Sequence, residues 1–205
     1  MSDYSIIQEL KRDGTLKLYH DYRSRSFLDF SGNGNHGVPS DCEFGGYGGL
    51  MFNAPTAAVT VADAPELQGT TWSLAVIGEF NEQSATGRLI HKRDAGGTQY
   101  EWYWTTTQFR INDGGAIVNI AMSATDAKFH AVTFTSGGTP KHYMDGVYSG
   151  DYSDVVTITA DDAPLLIGNA FTLNTPPRCL IEGALIFNKV LTATEISQLY
   201  GELMS

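Results

Sequence analysis

Residues 180–203 read LIEGALIFNKVLTATEISQLYGEL and join a strand pattern to a helix pattern. The apolar run 180–187 predicts a strand. Thr192 and Glu195 have the spacing of a capping box, in which a hydroxyl and a carboxylate satisfy the exposed amides at a helix start. Apolar residues then recur at i, i+3, i+4 and i+7, namely Ile196, Leu199, Tyr200 and Leu203. This spacing gives the helix one apolar face, which we expect to lie against a sheet.

Strand patterns separated by short turn signals fill the chain before this segment, without a linker or an internal repeat. In the clearest one, 72–80, the residues Trp72, Leu74, Val76 and Phe80 share one face. Further strands are predicted over 15–22, 50–52, 57–62, 87–92, 100–107, 108–112, 117–122, 129–135, 141–144 and 165–167. The sequence therefore predicts an all-β sandwich that is closed by one short C-terminal helix. We expect a single domain over 1–205, with its core in about 15–203.

Composition supports one large sandwich and restricts its partners. The 205 residues include 22 glycines, which suit a fold with many tight turns, and the net charge is −10. Such a charge disfavours nucleic acid and anionic membranes as partners, and no apolar run is long enough to span a bilayer. The one basic cluster, His91-Lys92-Arg93, is interpreted as a solvated strand end.

The two cysteines and the first residues bear on the compartment. Cys42 and Cys179 are interpreted as reduced, buried small residues, and a disulfide between them stays open. Residues 1–4 show no basic region, apolar stretch or cleavage site of a secretory signal. We therefore expect a chain that is not secreted.

Four segments resemble the concanavalin A-like superfamily in its laminin-G-like form. They are the loop DFSGNGNHG at 29–37, the strand FHAVTF at 129–134, the hairpin HYMDG at 142–146, and the segment from Leu166 through 181–188 to Ile196. The chain departs from the family pattern at Glu182, where Asp is usual, and at Phe129, where Trp is common. The resemblance implies an all-β, concanavalin A-like jelly-roll β-sandwich of two curved antiparallel sheets with the short C-terminal helix. Its relatives include lectins, glucanases and adhesion domains, so that fold does not decide function.

The opening YHDYRS at 19–24, running towards that loop, is similar to stand-alone domains of phage virion proteins. This resemblance implies a capsid decoration or tail protein, located in the virion and assembled in the host cytoplasm. Its partners would be other virion proteins or glycans, and homo-oligomers stay open. The alternative is a free carbohydrate-binding lectin domain, and whether it would need calcium stays open. A divergent glycoside hydrolase is the third hypothesis.

Catalytic signatures are absent from the sequence. The glucanases of this fold carry Glu-x-Asp-x-x-Glu on one strand, and no such run occurs. There is no Gly-x-Ser-x-Gly elbow and no His-Glu-x-x-His zinc spacing. We therefore expect a binding or structural module and no enzyme.

Two groups of residues are candidates for ligand contacts. Trp102, Tyr103 and Trp104 are aromatic neighbours on one predicted strand, and half of them could stack on a sugar ring. Both faces of the strand are aromatic, so the binding face stays open. Asp29 and Asn33, with backbone carbonyls of the 29–37 loop, are candidate calcium ligands, although the same residues suit a tight hydrogen-bonded turn. No other cofactor is indicated.

Overall fold

The computed structural model describes residues 5–46, 48–80, 87–93, 100–105, 108–112, 117–121, 127–159, 162–170, 176–177 and 179–205. Within these residues, fifteen strands form two antiparallel sheets and two α-helices lie at the ends of the chain. The predicted sandwich with a C-terminal helix is confirmed. Neither helix of the described part is long and apolar enough to cross a membrane.

The elements in chain order are α1 Ile6–Arg12, β1 Leu16–Asp21, β2 Gly37–Ser40, β3 Glu43–Phe44, β4 Leu50–Met51, β5 Ala58–Val61, β6 Thr71–Glu79, β7 Gly87–Lys92, β8 Tyr100–Thr105, β9 Gln108–Asn112, β10 Ile117–Ala121, β11 Phe129–Thr135, β12 Lys141–Met144, β13 Val147–Asp151, β14 Leu165–Ile167, β15 Leu180–Phe187 and α2 Ala193–Leu203.

Both sheets join strands that are distant in sequence. The eight-stranded sheet runs β13-β12-β11-β6-β15-β4-β3, with β1 also paired to β15. The seven-stranded sheet runs β10-β9-β8-β7-β14-β5-β2. In the first sheet, Leu74 of β6 lies opposite both Val132 of β11 and Ile186 of β15. Registers of this kind fix which side chains share a face, because neighbours in a strand point to opposite sides.

The core lies between the two sheets and is filled by alternate residues of their strands. Trp72, Leu74 and Val76 of β6 belong to it, together with Phe80, as the alternation predicts. From the other sheet come Tyr100, Trp102 and Trp104 of β8 and Phe109 and Ile111 of β9.

A second apolar cluster covers the outer face of the eight-stranded sheet. Ala75 and Ile77 of β6 pack there with Leu185 of β15, Leu10 of α1 and Leu199 of α2. The two helices therefore bury the face that the first core leaves open, and the central strands of this sheet are apolar on both sides.

Helix α1 is an element that the sequence reading missed. Its seven residues give too short a periodicity for a firm prediction, although Ser5 caps it and Ile6, Ile7 and Leu10 form its buried side. Glu202 of α2 accepts hydrogen bonds from the Ser5 hydroxyl and, at 3.3 Å, from the Ile7 amide. Glu202, near the C-terminal end of α2, thus provides an acceptor for an amide in the first turn of α1.

Cys42 and Cys179 are both free thiols. Cys42 lies at the edge of the core, where burial raises the pKa of its thiol to about 11. The interpretation of two reduced cysteines agrees with this arrangement.

Candidate functional site

Strand β8 sends its three candidate ligand residues to two different faces. Trp102 and Trp104 are 0% and 3% exposed and lie in the core between the sheets. The indole Nε1 of Trp102 donates a hydrogen bond to the hydroxyl of Tyr152 at 3.2 Å. Neither tryptophan offers a ring face to a ligand from outside, because core side chains pack on both. Tyr103 takes the opposite, outer face of the sheet.

Tyr103 stands between two arginines on the outer face of the seven-stranded sheet. Arg88 of β7 and Arg110 of β9 lie directly opposite Tyr103 on either side. We call these three residues the arginine row. The guanidinium carbon of Arg88 is 4.6 Å from the centre of the Tyr103 ring, which is cation–π distance. Burial raises the pKa of the Tyr103 hydroxyl despite the neighbouring Arg110, so it stays protonated at neutral pH.

A buried carboxylate in the next row holds part of this arrangement. Glu101 of β8 is 1% exposed and accepts hydrogen bonds from Arg88 Nε, from Asn112 Nδ2 at 3.0 Å and from Arg93 Nη1 at 3.4 Å. A buried carboxylate is stabilised only when it is paired in this way. Glu101 thereby fixes the guanidinium of Arg88 above the Tyr103 ring.

The basic cluster at 91–93 corrects the sequence interpretation of a solvated strand end. His91 and Lys92 are 3% and 0% exposed and point to opposite sides of β7. The Nζ atom of Lys92 donates to the Ala163 carbonyl at 2.5 Å and to the Asp63 carboxylate. Burial lowers the pKa of His91 to about 4, against the raising effect of Glu101, so its imidazole is neutral at pH 7. Only Arg93 is substantially exposed.

The outer face of this sheet is locally positive in an acidic protein. The seven strands carry four charged side chains, of which Lys92 points inward and Arg88, Glu101 and Arg110 point outward. With Arg93 directly after β7, this region has three arginines and one carboxylate, and two of the arginines pair with that carboxylate, whereas the whole chain has a net charge of −10. Glu101 is also the only Asp or Glu on the seven strands, so they hold no acid pair for glycoside cleavage.

The 29–37 loop is organised by the carboxylate of Asp29. Its Oδ1 accepts from the amides of Tyr19 and Ser31 at 3.0 and 2.9 Å. Its Oδ2 accepts from the Ser31 hydroxyl at 2.7 Å and the Asn35 amide at 3.0 Å. The second calcium candidate, Asn33, donates its amide to the carbonyls of Leu16 and Lys17.

Donors, rather than further oxygen ligands, therefore surround the Asp29 carboxylate. Calcium is held by several carboxylate and carbonyl oxygens at once. In the part of the chain that the structure describes, no three His, Cys, Asp or Glu side chains gather as a metal site. The contacts fit the turn-forming role, and calcium binding at Asp29 and Asn33 stays a prediction.

A comparison with protein families decides the classification. The model of a family described as the concanavalin A-like lectin/glucanases superfamily matches residues 53–197, which is more than half of the chain. The chain belongs to this superfamily.

Solved structures with the concanavalin A-like fold extend the likeness over nearly the whole chain. The binding domain of Paraclostridial Mosquitocidal Protein 1 superposes with a TM-score of 0.72 at 15% identity, covering 96% of this chain and 53% of that one. A botulinum neurotoxin type C structure gives 0.71 at 14% identity, covering 96% and 53%. The receptor binding domain of botulinum neurotoxin type G gives 0.66 at 17% identity, covering 92% and 51%.

This chain spans about half the length of those toxin domains, and at such identities the likeness shows the concanavalin A-like fold alone. No curated protein matches the chain. The shared fold is lectin-like, and two of these three structures are named as binding domains.

The arginine row of this concanavalin A-like domain had a sequence signal. In β9, polar Gln108, Arg110 and Asn112 alternate with apolar Phe109 and Ile111, which assigns the outer face. Residues that lie opposite each other on adjacent strands share a face. Since Asn112 and Arg110 are on the outer face of β9, pairing with β8 would have predicted that Glu101 and Tyr103 are on the outer face too.

Proposed function

We propose that this chain is a non-catalytic binding module that holds a glycan on the outer face of its seven-stranded sheet. The observation that carries the proposal is the arginine row, in which Arg88 and Arg110 flank Tyr103 and Glu101 fixes Arg88. These side chains stand on adjacent strands of a sheet whose opposite face is the core. A site on strands is more precisely positioned than one on loops.

The chemistry of the row suits hydrogen bonding to a sugar more than stacking on one. The ring of Tyr103 is 3% exposed and lies under the Arg88 guanidinium, so its face is already covered. Arg88 and Arg110 are partly exposed residues beside it, as are Gln108 and Asn119. Planar groups with paired donors can bind two neighbouring oxygens of a sugar at once.

The names of similar structures are compatible with this reading. One similar structure is that of a botulinum neurotoxin type C whose cell entry is dependent upon interaction with two ganglioside molecules, and another is a botulinum neurotoxin binding domain in complex with rat synaptotagmin II. A glycolipid and a protein are thus both named as partners of toxins with this fold. For this chain we favour a glycan because the exposed groups of the row are polar and hydrogen-bonding.

The absence of catalysis is part of the proposal. Retaining and inverting glycosidases both need two carboxyl groups across the scissile bond. On the seven strands Glu101 is alone, buried and paired with arginines, which favours a positioning role for it.

Binding of the labelled, full-length chain to a glycan microarray tests the proposal. We expect retention on at least one class of oligosaccharide, at least a tenfold loss in Arg110→Ala, and no loss in Lys17→Gln. Lys17 is a matched control because it removes a positive charge from the other sheet. Thermal unfolding of each variant verifies the fold. No retained glycan, or equal binding by Arg110→Ala, would overturn the proposal.

The virion location is a separate proposal that rests on the resemblance of residues 19–37 to phage virion domains. It is compatible with glycan binding, since a particle could display the module for adhesion. Co-sedimentation of the chain with purified particles tests it. A chain that stays in the supernatant with every particle fraction would count against this location.

A further inference from the structure

The strongest unexplained feature of the molecule is the excess of guanidinium groups on the proposed binding face. Arg88 and Arg93 both pair with the buried carboxylate of Glu101, and Arg110 stands two strands from Arg88 without an acidic partner among the described residues, in a chain that is otherwise acidic. The single charge of Glu101 therefore balances one of three positive charges. Uncharged polar side chains could form the same hydrogen bonds to a neutral sugar without the repulsion between neighbouring positive charges.

From this excess we infer that the ligand carries an anionic group, a carboxylate or a sulfate, which binds between Arg88 and Arg110 above Tyr103. This inference rests on the proposed function and names the class of glycan, an acidic one. The inference gives the positive charge of the arginine row a role, because binding of a neutral glycan would not require that charge.

Both arginines have donors left for such a group. Arg88 bonds to Glu101 through Nε, which leaves its two Nη nitrogens without a hydrogen bond to the described residues. Arg110 uses Nε on the Gln108 side chain at 2.9 Å and also hydrogen-bonds to the Tyr103 side chain, which still leaves some of its five N–H groups for a ligand. Arginine forks bind carboxylates and related oxyanions through two parallel N–H bonds.

The spacing of the row matches one anion shared by two forks. Arg88 and Arg110 face Tyr103 from both neighbouring strands, and adjacent strands lie about 4.8 Å apart, so their backbones are separated by roughly 10 Å. Two long side chains directed towards each other across that distance can meet over the tyrosine. The Arg88 guanidinium already lies over the ring, at 4.6 Å from its centre.

Side-chain contacts hold both arginines without a ligand. Glu101 is 1% exposed and holds Arg88, whose side chain is itself 20% exposed, and the side chains of Gln108 and Tyr103 hold Arg110. Arg93, with 35% of its side chain exposed, adds a third positive group at the same carboxylate. A preorganised cation pair loses less side-chain entropy on binding than free surface lysines would.

Paired glycans test the inference, each acidic oligosaccharide being compared with its neutral counterpart of otherwise identical structure. One set of acidic glycans ends in uronic or sialic acids and a second set bears sulfate. Comparison of the two sets shows whether the bound anion is a carboxylate or a sulfate. We expect at least tenfold tighter binding of the acidic member, with an affinity that falls as salt rises. Hydrogen bonds to charged groups are worth enough for Arg88→Gln or Arg110→Gln to reduce acidic binding about 10- to 100-fold.

The same variants separate the two levels of the proposal. Glutamine keeps a planar amide but no charge, so Arg110→Gln should lose more affinity for the acidic member of each pair than for the neutral member, and Lys17→Gln should leave both classes unchanged. Equal affinity for acidic and neutral members would overturn the inference and leave glycan binding intact. Absence of binding to every glycan would instead remove the proposed function, and the inference with it.

Discussion

The imidazoles of His130 and His142 lie side by side in the core, with Nδ1 of His130 3.2 Å from Nε2 of His142. Nδ1 of His142 is in turn 3.0 Å from the hydroxyl of Tyr152, which also accepts from Trp102. His130 stacks on Phe109 with ring centres 4.6 Å apart. Burial lowers the pKa of His130 to about 4 and that of His142 well below its ordinary value. This polar chain therefore crosses the sandwich with neutral rings.

The histidine pair predicts a loss of stability in mild acid. Unfolded histidines gain protons near pH 6.5, whereas burial lowers the pKa of His130 to about 4 and that of His142 well below its ordinary value, so both rings stay neutral in the folded protein in mild acid. The free energy of unfolding should thus be at its full value above pH 6.5 and fall by roughly 1–3 kcal/mol towards pH 4. Urea unfolding followed by tryptophan fluorescence at pH 7.5, 6, 5 and 4.5 measures it.

The control for this prediction is a pair of histidine variants. His130→Phe removes one titrating ring and should make the decline shallower, while the exposed His36→Asn should not change it. Buried His20 and His91 also have lowered pKa values and maintain part of the decline. An unchanged slope in His130→Phe would contradict the assignment.

Asp29 is expected to stabilise the loop through donors and not through calcium. Asp29→Asn loses charge-assisted hydrogen bonds from two strand and loop amides and a hydroxyl, and should lower the free energy of unfolding by about 2–3 kcal/mol. The exposed Asp154→Asn, which loses one local bond, should cost far less. Chemical denaturation in excess EDTA and in calcium measures both. A wild-type midpoint that rises with calcium, and no longer does so in Asp29→Asn, would instead establish the metal site.

Two glycines should respond to alanine in opposite directions. Gly168 follows β14 with φ +80°, and a Cβ there would lie 2.1 Å from Cδ1 of Phe52. Gly168→Ala should therefore destabilise the fold by about 2–4 kcal/mol. Gly201 lies in α2 with no atom within 4 Å of such a Cβ, and Gly201→Ala should stabilise it by about 0.5–1 kcal/mol. Thermal melts of both variants test the contrast, and a neutral Gly168→Ala would refute the packing argument.

The strands that sequence predicted best are mostly buried ones. β7, β9, β11, β12, β14 and β15 have the predicted bounds, and apolar residues mark most of them as strands. β2, β3 and β13 were missed, since β2 contains Pro39 and is an edge strand, β3 has two residues and β13 is an exposed edge. Short pairings of this kind are decided by tertiary contacts that no local pattern carries.

The candidate site was less predictable because it depends on register between strands. Aromatic residues occupy both faces of β8, so its sequence alone could not separate Tyr103 from Trp102. Only pairing with β7 and β9 brings Arg88 and Arg110, 22 positions apart, to either side of Tyr103. Likewise, the run of basic residues at 91–93 looked exposed until β14 and Asp63 supplied partners for it.

The ion pairs of Glu101 should differ in strength, which a double-mutant cycle can measure. Arg88 contacts the carboxylate through Nε at short range and with a side chain that is 20% exposed. Arg93 reaches it at 3.4 Å with a side chain that is 35% exposed, so solvent screens the pair more strongly. Cycles with Glu101→Gln should give a coupling free energy of about 1–2 kcal/mol for Arg88→Gln and below about 0.5 kcal/mol for Arg93→Gln. Equal couplings, or a larger one for Arg93, would show that Glu101 does not fix Arg88 above Tyr103, and the preorganisation of the arginine row would lose its structural basis.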